Sequence, residues 1–180
     1  PVLDRQDIKK MIYGVLTNQQ KEIFERDMEL DFSLALPGMD RFRVNIHTQK
    51  GSVEGAFRRV PLVIPNASEL GLPQTVIDLA RKPNGLVLVT GPTGMGKTTT
   101  LAAMIDLINK ERESLVICIE DPIEFIYANK KAIIKQREVY SDTHSFAEAL
   151  RHALRQDPNI IVVGEMRDLE TISTTLTAAE

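Results

Sequence analysis

From Gly85 onward the chain carries three short, solidly apolar runs: GLVLVT (85–90), LVICI (115–119) and NIIVVG (159–164). Such runs read as strands buried on both faces, and helical patterns separate them. That alternation predicts βαβ units around a parallel sheet covered on both sides. In SFAEALRHALRQ, Phe146, Ala149, Leu150, Ala153 and Leu154 fall on one face at helical spacing. Ser145 with Glu148 makes a capping-box pattern at its start, and Pro158 prevents its continuation.

Before Gly85 the pattern is different. RQDIKKMIYGVL and NQQKEIFERDM space their apolar residues as helices do. In RFRVNIH the period becomes two: Phe42, Val44 and Ile46 alternate with Arg41, Arg43, Asn45 and His47. DFSLALPG before it and VEGAFRRV after it predict a small antiparallel sheet. Pro61, Pro65 and Pro73 punctuate a linker around residues 61–66. The expected organisation is a small α+β domain over 1–62 and an α/β domain over 63–180.

The most informative stretch is GLVLVTGPTGMGKTTT. Gly91, Gly96, Lys97 and Thr98 match G-x-x-x-x-G-K-[ST] between a predicted strand and a predicted helix. In such a loop, Gly91, Thr93, Gly94, Met95 and Gly96 turn backbone N–H groups toward phosphate oxygens, Pro92 shapes the turn without a donor of its own, and Thr98 and Thr99 open the helix behind them. The dipole of that helix points at the same anion. Lys97 would reach the β- and γ-phosphates of ATP, and the Thr98 hydroxyl would ligate Mg²⁺.

Acids follow the other two runs. NIIVVG ends in Glu165. If the strands ending at Thr90, Ile119 and Val163 are neighbours, this carboxylate faces the phosphate loop, because ligands of parallel sheets sit at the carboxyl ends of the strands. There it can hold Mg²⁺, directly or through a water, or orient an attacking water. LVICIEDPIEF ends in Glu120 and Asp121, with Glu124 following. One of these can act as general base or position the water, since phosphoryl transfer depends mostly on alignment and charge balance. Arg41 and Arg43 share one face of their strand and can point at one anion, or simply be solvated. Arg58 and Arg59 are adjacent, so at most one of them joins such a site. His47, His144 and His152 read as structural or solvated.

Composition changes this picture little. With 22 Lys and Arg against 25 Asp and Glu the net charge is −3, which argues against a nucleic-acid footprint. A single cysteine, Cys118, excludes an intramolecular disulfide and makes a reducing compartment the default. No apolar stretch approaches a membrane span. The opening on Pro1 and the stop at LTAAE within a helical pattern lead to the expectation of a longer protein.

GLVLVTGPTGMGKTTTLAAMID, IEDPIEF, QREVYSDTHSFAEALRHALRQDP and IIVVGEMRDLET together resemble the secretion-ATPase superfamily, and within it the PilT-like type IV pilus retraction (twitching-motility) ATPases. DFSLALPGMDRFRVN and GAFRRVP resemble that family's N-terminal domain. QREV followed by DTHSF is the more specific part, because pilus-assembly and type II secretion ATPases usually differ there.

The resemblance implies a PAS-like N-terminal domain, a RecA-like ATPase domain and a cytoplasmic homo-hexamer. That hexamer would work at the inner-membrane face, on a platform protein of the pilus machine, and power retraction by hydrolysing ATP with Mg²⁺. The family's Asp box maps onto Glu120, Asp121 and Glu124, with Glu124 favoured as catalytic. Its atypical Walker B glutamate maps onto Glu165. Its N-terminal arginines, which reach a nucleotide across domains or subunits, map among Arg41, Arg43, Arg58 and Arg59. The family also carries a histidine-containing strand and further helices after the segment matching LTAAE; neither lies in these 180 residues, so the sheet is expected to be incomplete.

The competing expectations are a pilus-assembly or type II secretion ATPase, a nucleotide-sensing module that binds ATP without turnover, and a RecA-type nucleic-acid motor. Two acids at strand ends disfavour the second, and the missing basic stripe disfavours the third.

Overall fold

A computed structural model describes residues 3–36, 41–60 and 63–179. The expected turn residues Pro37 and Gly38, Pro61 of the linker, and Glu180 lie outside them. The chain forms two compact units, Pro1–Leu62 and Val63–Glu180.

In the first unit, helices α1 (Arg5–Val15) and α2 (Asn18–Asp27) precede three strands, β1 (Glu29–Ala35), β2 (Arg41–Gln49) and β3 (Ser52–Val60). Asp4 starts α1 by accepting from the N–H groups of Gln6 and Asp7, each at 2.8 Å. Thr17 and Gln20 form a reciprocal capping box on α2. The strands pair antiparallel in the order β1-β2-β3. Lys50 and Gly51 close the β2–β3 hairpin with φ of 48° and 75°, a two-residue turn whose twist matches the strands. The period-two pattern sorts the faces as expected. Val44 and Ile46 are fully buried with Ile12, Leu16 and Phe24 of the helices, and Arg41 and Arg43 take the other face.

The second unit is α/β. Helix α3 (Gln74–Ala80) is followed by α4 (Lys97–Glu111), β4 (Leu115–Glu120), β5 (Ile133–Glu138), α5 (Phe146–Ala153), a 3-10 turn at Leu154–Gln156, β6 (Ile160–Val163) and α6 (Leu169–Ala179). The sheet is parallel, in the order β5-β4-β6. Val116 through Ile119 of central β4 are all 0% exposed, as a strand covered on both faces requires. Val116 and Cys118 meet Met104, Ile105 and Ile108 of α4. Ile117 and Ile119 meet Ala149, Leu150 and Ala153 of α5.

Three expectations need correction. GLVLVT is not a strand: residues 86–90 join no ladder among the described residues, and Leu86, Val87 and Leu88 stay 40%, 40% and 61% exposed. An apolar run specifies burial, but a strand exists only through hydrogen bonds to a neighbour, and this run has none. Ile160–Val163 is buried less completely than expected. Only Val162 is buried, because among the described residues β6 has a partner strand on one side alone. Between LVICI and the α5 helix the structure adds β5, whose sequence IIKQRE has no clean period. As an edge strand it turns Lys135 to solvent, where a lysine also blocks edge-to-edge pairing.

Candidate functional site

Residues 112–114 join the C-terminus of α4 to the start of β4. The fifteen residues of α4 span about 22 Å. That matches the roughly 20 Å of six-residue β4, along which α4 packs. The helix therefore runs back over the sheet, and its N-terminus, Lys97, returns to the carboxyl edge. Glu120 stands in register with Glu138, and Ile119 with Val163, so β4, β5 and β6 all end at that edge. The phosphate-loop motif and the acids are thus gathered by topology on one side of the sheet.

The loop is built as the motif requires. Gly94 and Gly96 adopt φ of 83° and 80°, conformations that L side chains avoid. No side chain caps the N-terminus of α4, so its first N–H groups remain available to an anion. Lys97 bends back over the loop, and its Nζ donates to the carbonyls of Gly91 at 2.7 Å and Pro92 at 2.9 Å. Met95 is 74% exposed and Thr98 is exposed on the first helical turn. Thr99, one residue on, is half-buried.

The three acids after β4 are not equivalent. Glu120 accepts from Gln136 Nε2 at 2.9 Å and from the Glu124 backbone N–H. Burial pushes its carboxyl up to about 7; the two hydrogen bonds oppose this, and the Glu124 and Glu138 charges add to it. Asp121 is exposed, and Glu124 is half-buried between the buried side chains of Ile123 and Phe125. Glu120 is therefore engaged in holding the turn.

Glu165 leaves the sheet one residue after β6. Gly164 donates its N–H to Ile119 O at 2.8 Å. A Cβ there would meet that oxygen at 3.1 Å and Glu120 Cα at 3.3 Å. The missing side chain lets the chain pass closely against the end of β4. The Glu165 side chain is 32% exposed and pairs with Arg167 at 2.8 Å. Asp168, in the same stretch, caps α6 by accepting from the Thr171 N–H and Oγ1, each at 2.7 Å.

In the first unit, Arg43 and Arg58 stand directly opposite each other across β2 and β3. Arg41 shares their face two residues along β2, while Arg59 opposes Phe42 on the other face. His47 lies near Asn45 and Glu54. In the second unit, His144 and His152 line a recess of about 540 Å³ together with Arg137 and Tyr140.

Sequence reasoning missed Gln136 and Arg167 as partners of Glu120 and Glu165, and Glu138 as the acceptor for the Ile123 N–H. An i,i+2 pair of polar residues on a strand was the only signal for Gln136 and Glu138. No periodicity marked that strand.

Residues 67–180 match the family model of the Type II/IV secretion system protein. Over all 180 residues the chain is 49% identical to the type IV pilus retraction ATPase PilT of Pseudomonas aeruginosa, covering 52% of it. It is 46% identical to a twitching motility protein of Neisseria gonorrhoeae, again over the whole chain and 48% of the relative. The chain thus spans about half the length of these curated relatives. A crystal structure of the pilus retraction motor PilT with bound ADP superposes on 96% of the chain, with a TM-score of 0.93 and 51% identity, over 50% of its own length. The phosphate loop, the acids at the carboxyl edge of a parallel sheet and the match over residues 67–180 place this chain in the type II/IV secretion system protein family.

Proposed function

We propose that this chain is part of an ATP-hydrolysing motor subunit that powers type IV pilus retraction. The observation that carries the reading is the shared edge. A phosphate loop at the N-terminus of α4 and the acids that follow β4 and β6 share that edge, in a chain similar along its whole length to retraction ATPases.

In this reading Lys97 leaves its two loop carbonyls for the β- and γ-phosphates, and the N–H groups of residues 93–98 hold the rest of the triphosphate. Thr98 and Glu165 are oxygen donors of the kind Mg²⁺ takes. With no cluster of three ligating side chains among the described residues, phosphates and water would complete its shell. Bound there, the ion would neutralise charge on the phosphates. Glu124 would accept a hydrogen bond from the attacking water and align it, with Glu120 and Asp121 shaping the turn. Arg41, Arg43 and Arg58 would stabilise the transferring phosphoryl group of a neighbouring subunit, which in comparable enzymes contributes about 10³ to 10⁵ in rate. The first unit is read as the PAS-like domain and the second as the RecA-like one. The working form is a homo-hexamer in the cytoplasm, held at the inner membrane by the pilus platform; none of the described helices is long and apolar enough to cross a membrane.

The test is ATP turnover by the intact protein against its concentration, with Glu165→Gln alongside. Turnover that rises more steeply than concentration and disappears in the variant supports the reading. Undiminished turnover in Glu165→Gln overturns the assigned site. A deletion strain that loses its pili instead of accumulating them would favour the assembly reading.

A further inference from the structure

The acidic turn is not held by its own backbone. Residues 121–127 contain no helix or strand, yet Ile123 and Phe125 are 5% and 6% exposed. Glu124, between these two buried residues, stays only half-buried. Besides Glu120, which accepts from the Glu124 N–H, two side chains of β5 make the bonds that keep this register. Gln136 Nε2 donates to Phe125 O at 2.7 Å as well as to Glu120, and its Oε1 accepts from the Tyr127 N–H at 3.1 Å. Glu138 accepts from the Ile123 N–H at 3.0 Å. Residues 123, 125 and 127 are thus each fastened by a side chain standing in for a strand partner.

Gln136 and Glu138 lie two apart on β5 and therefore share a face. Their own position is fixed from behind: the Glu138 N–H donates to Asp142 at 2.8 Å. Simple core filling does not account for them. Glu138 is 6% exposed and stands in register beside Glu120, a second carboxyl. Burying an acid next to an acid is costly, and an apolar side chain would fill the space at lower cost.

We propose that Gln136 and Glu138 are positioning residues that clamp the 121–127 loop and so set the direction in which Glu124 is presented. The inference rests on the reading of Glu124 as the group that aligns the attacking water. Misplacement of such a group by about 1 Å can lower the rate roughly 10²-fold.

The experiment compares Glu138→Ala, Glu138→Gln and Gln136→Met in the intact protein. It reads hydrogen exchange of the 120–128 peptide and ATP turnover. Expected for Glu138→Ala is faster exchange in that peptide and a kcat lowered roughly 100-fold with little change in KM. Glu138→Gln keeps an oxygen acceptor for the Ile123 N–H and should recover most of both. Gln136→Met keeps the bulk, removes three bonds and should behave like Glu138→Ala; it decides the matter if Glu138→Ala does not fold. Unchanged exchange in both disruptive variants overturns the proposal. So does a loosened peptide with unchanged kcat, or a loss carried entirely by KM. Wild-type turnover that survives Lys97→Ala instead overturns the hydrolase reading, and the exchange measurement still decides whether these side chains hold the loop.

Discussion

Lys97 Nζ donates to Gly91 O at 2.7 Å, closing the phosphate loop on itself. The ammonium thus has partners before any phosphate arrives, and a nucleotide must outcompete them. Hydrogen bonds to charged groups contribute about 1.5–3 kcal/mol. Lys97→Ala is therefore expected to weaken ATP binding roughly 10- to 100-fold, read by calorimetric titration. Unaltered affinity would mean that phosphate binds elsewhere.

The Arg43–Arg58 pair separates stability from function. Like charges directly opposite on a sheet are destabilising, by a few tenths to about 1 kcal/mol. Arg58→Thr keeps strand propensity and removes the repulsion. We expect a modest rise in Tm, followed by calorimetry, together with a fall in ATP turnover. A variant that gains stability and keeps full turnover would leave these arginines as a solvated face.

Glu120 makes a pH-dependent contribution whose sign follows from its pKa. Its folded value of about 7 lies above the ordinary carboxylate range, so between roughly pH 4.5 and 7 the folded protein binds more protons than the unfolded chain. Stability contributed by this group is present below that window and lost as pH rises through it. Glu120→Gln should therefore raise Tm at pH 8 and have little effect near pH 4. A Tm difference independent of pH would show that Glu120 is already ionised in that window.

Asn109 tests how the loop helix is anchored. It is 1% exposed, donates to Ala128 O at 2.8 Å and accepts from the Lys130 N–H at 3.0 Å, tying α4 to the segment entering β5. The buried Asp106 carboxylate, paired with Lys110 and Lys130, reinforces the same junction. Asn109→Ala removes both hydrogen bonds, each contributing about 0.5–1.5 kcal/mol. Urea unfolding should show a lower midpoint with an unchanged slope.

Much of the site was legible because it is local in sequence. The glycines and Lys97 of the loop lie within a few residues, and the positive φ at Gly94 and Gly96 is a property of one chain segment. Period two in RFRVNIH placed Arg41 and Arg43 on one face without any fold. That Arg58, not Arg59, joins them depends on the β2–β3 register, which a one-residue slip would reverse.

The sequence by itself determined which segments are apolar, where helices start and where the phosphate-loop motif lies. These properties follow from side-chain period, capping chemistry and backbone freedom over a few residues. The tertiary structure alone decided that GLVLVT has no ladder partner, that IIKQRE is a strand, and that Gln136 and Glu138 fasten the acidic turn. A hydrogen-bond partner many residues away leaves no periodic trace at either position. It is chosen by the packing that brings the two segments together.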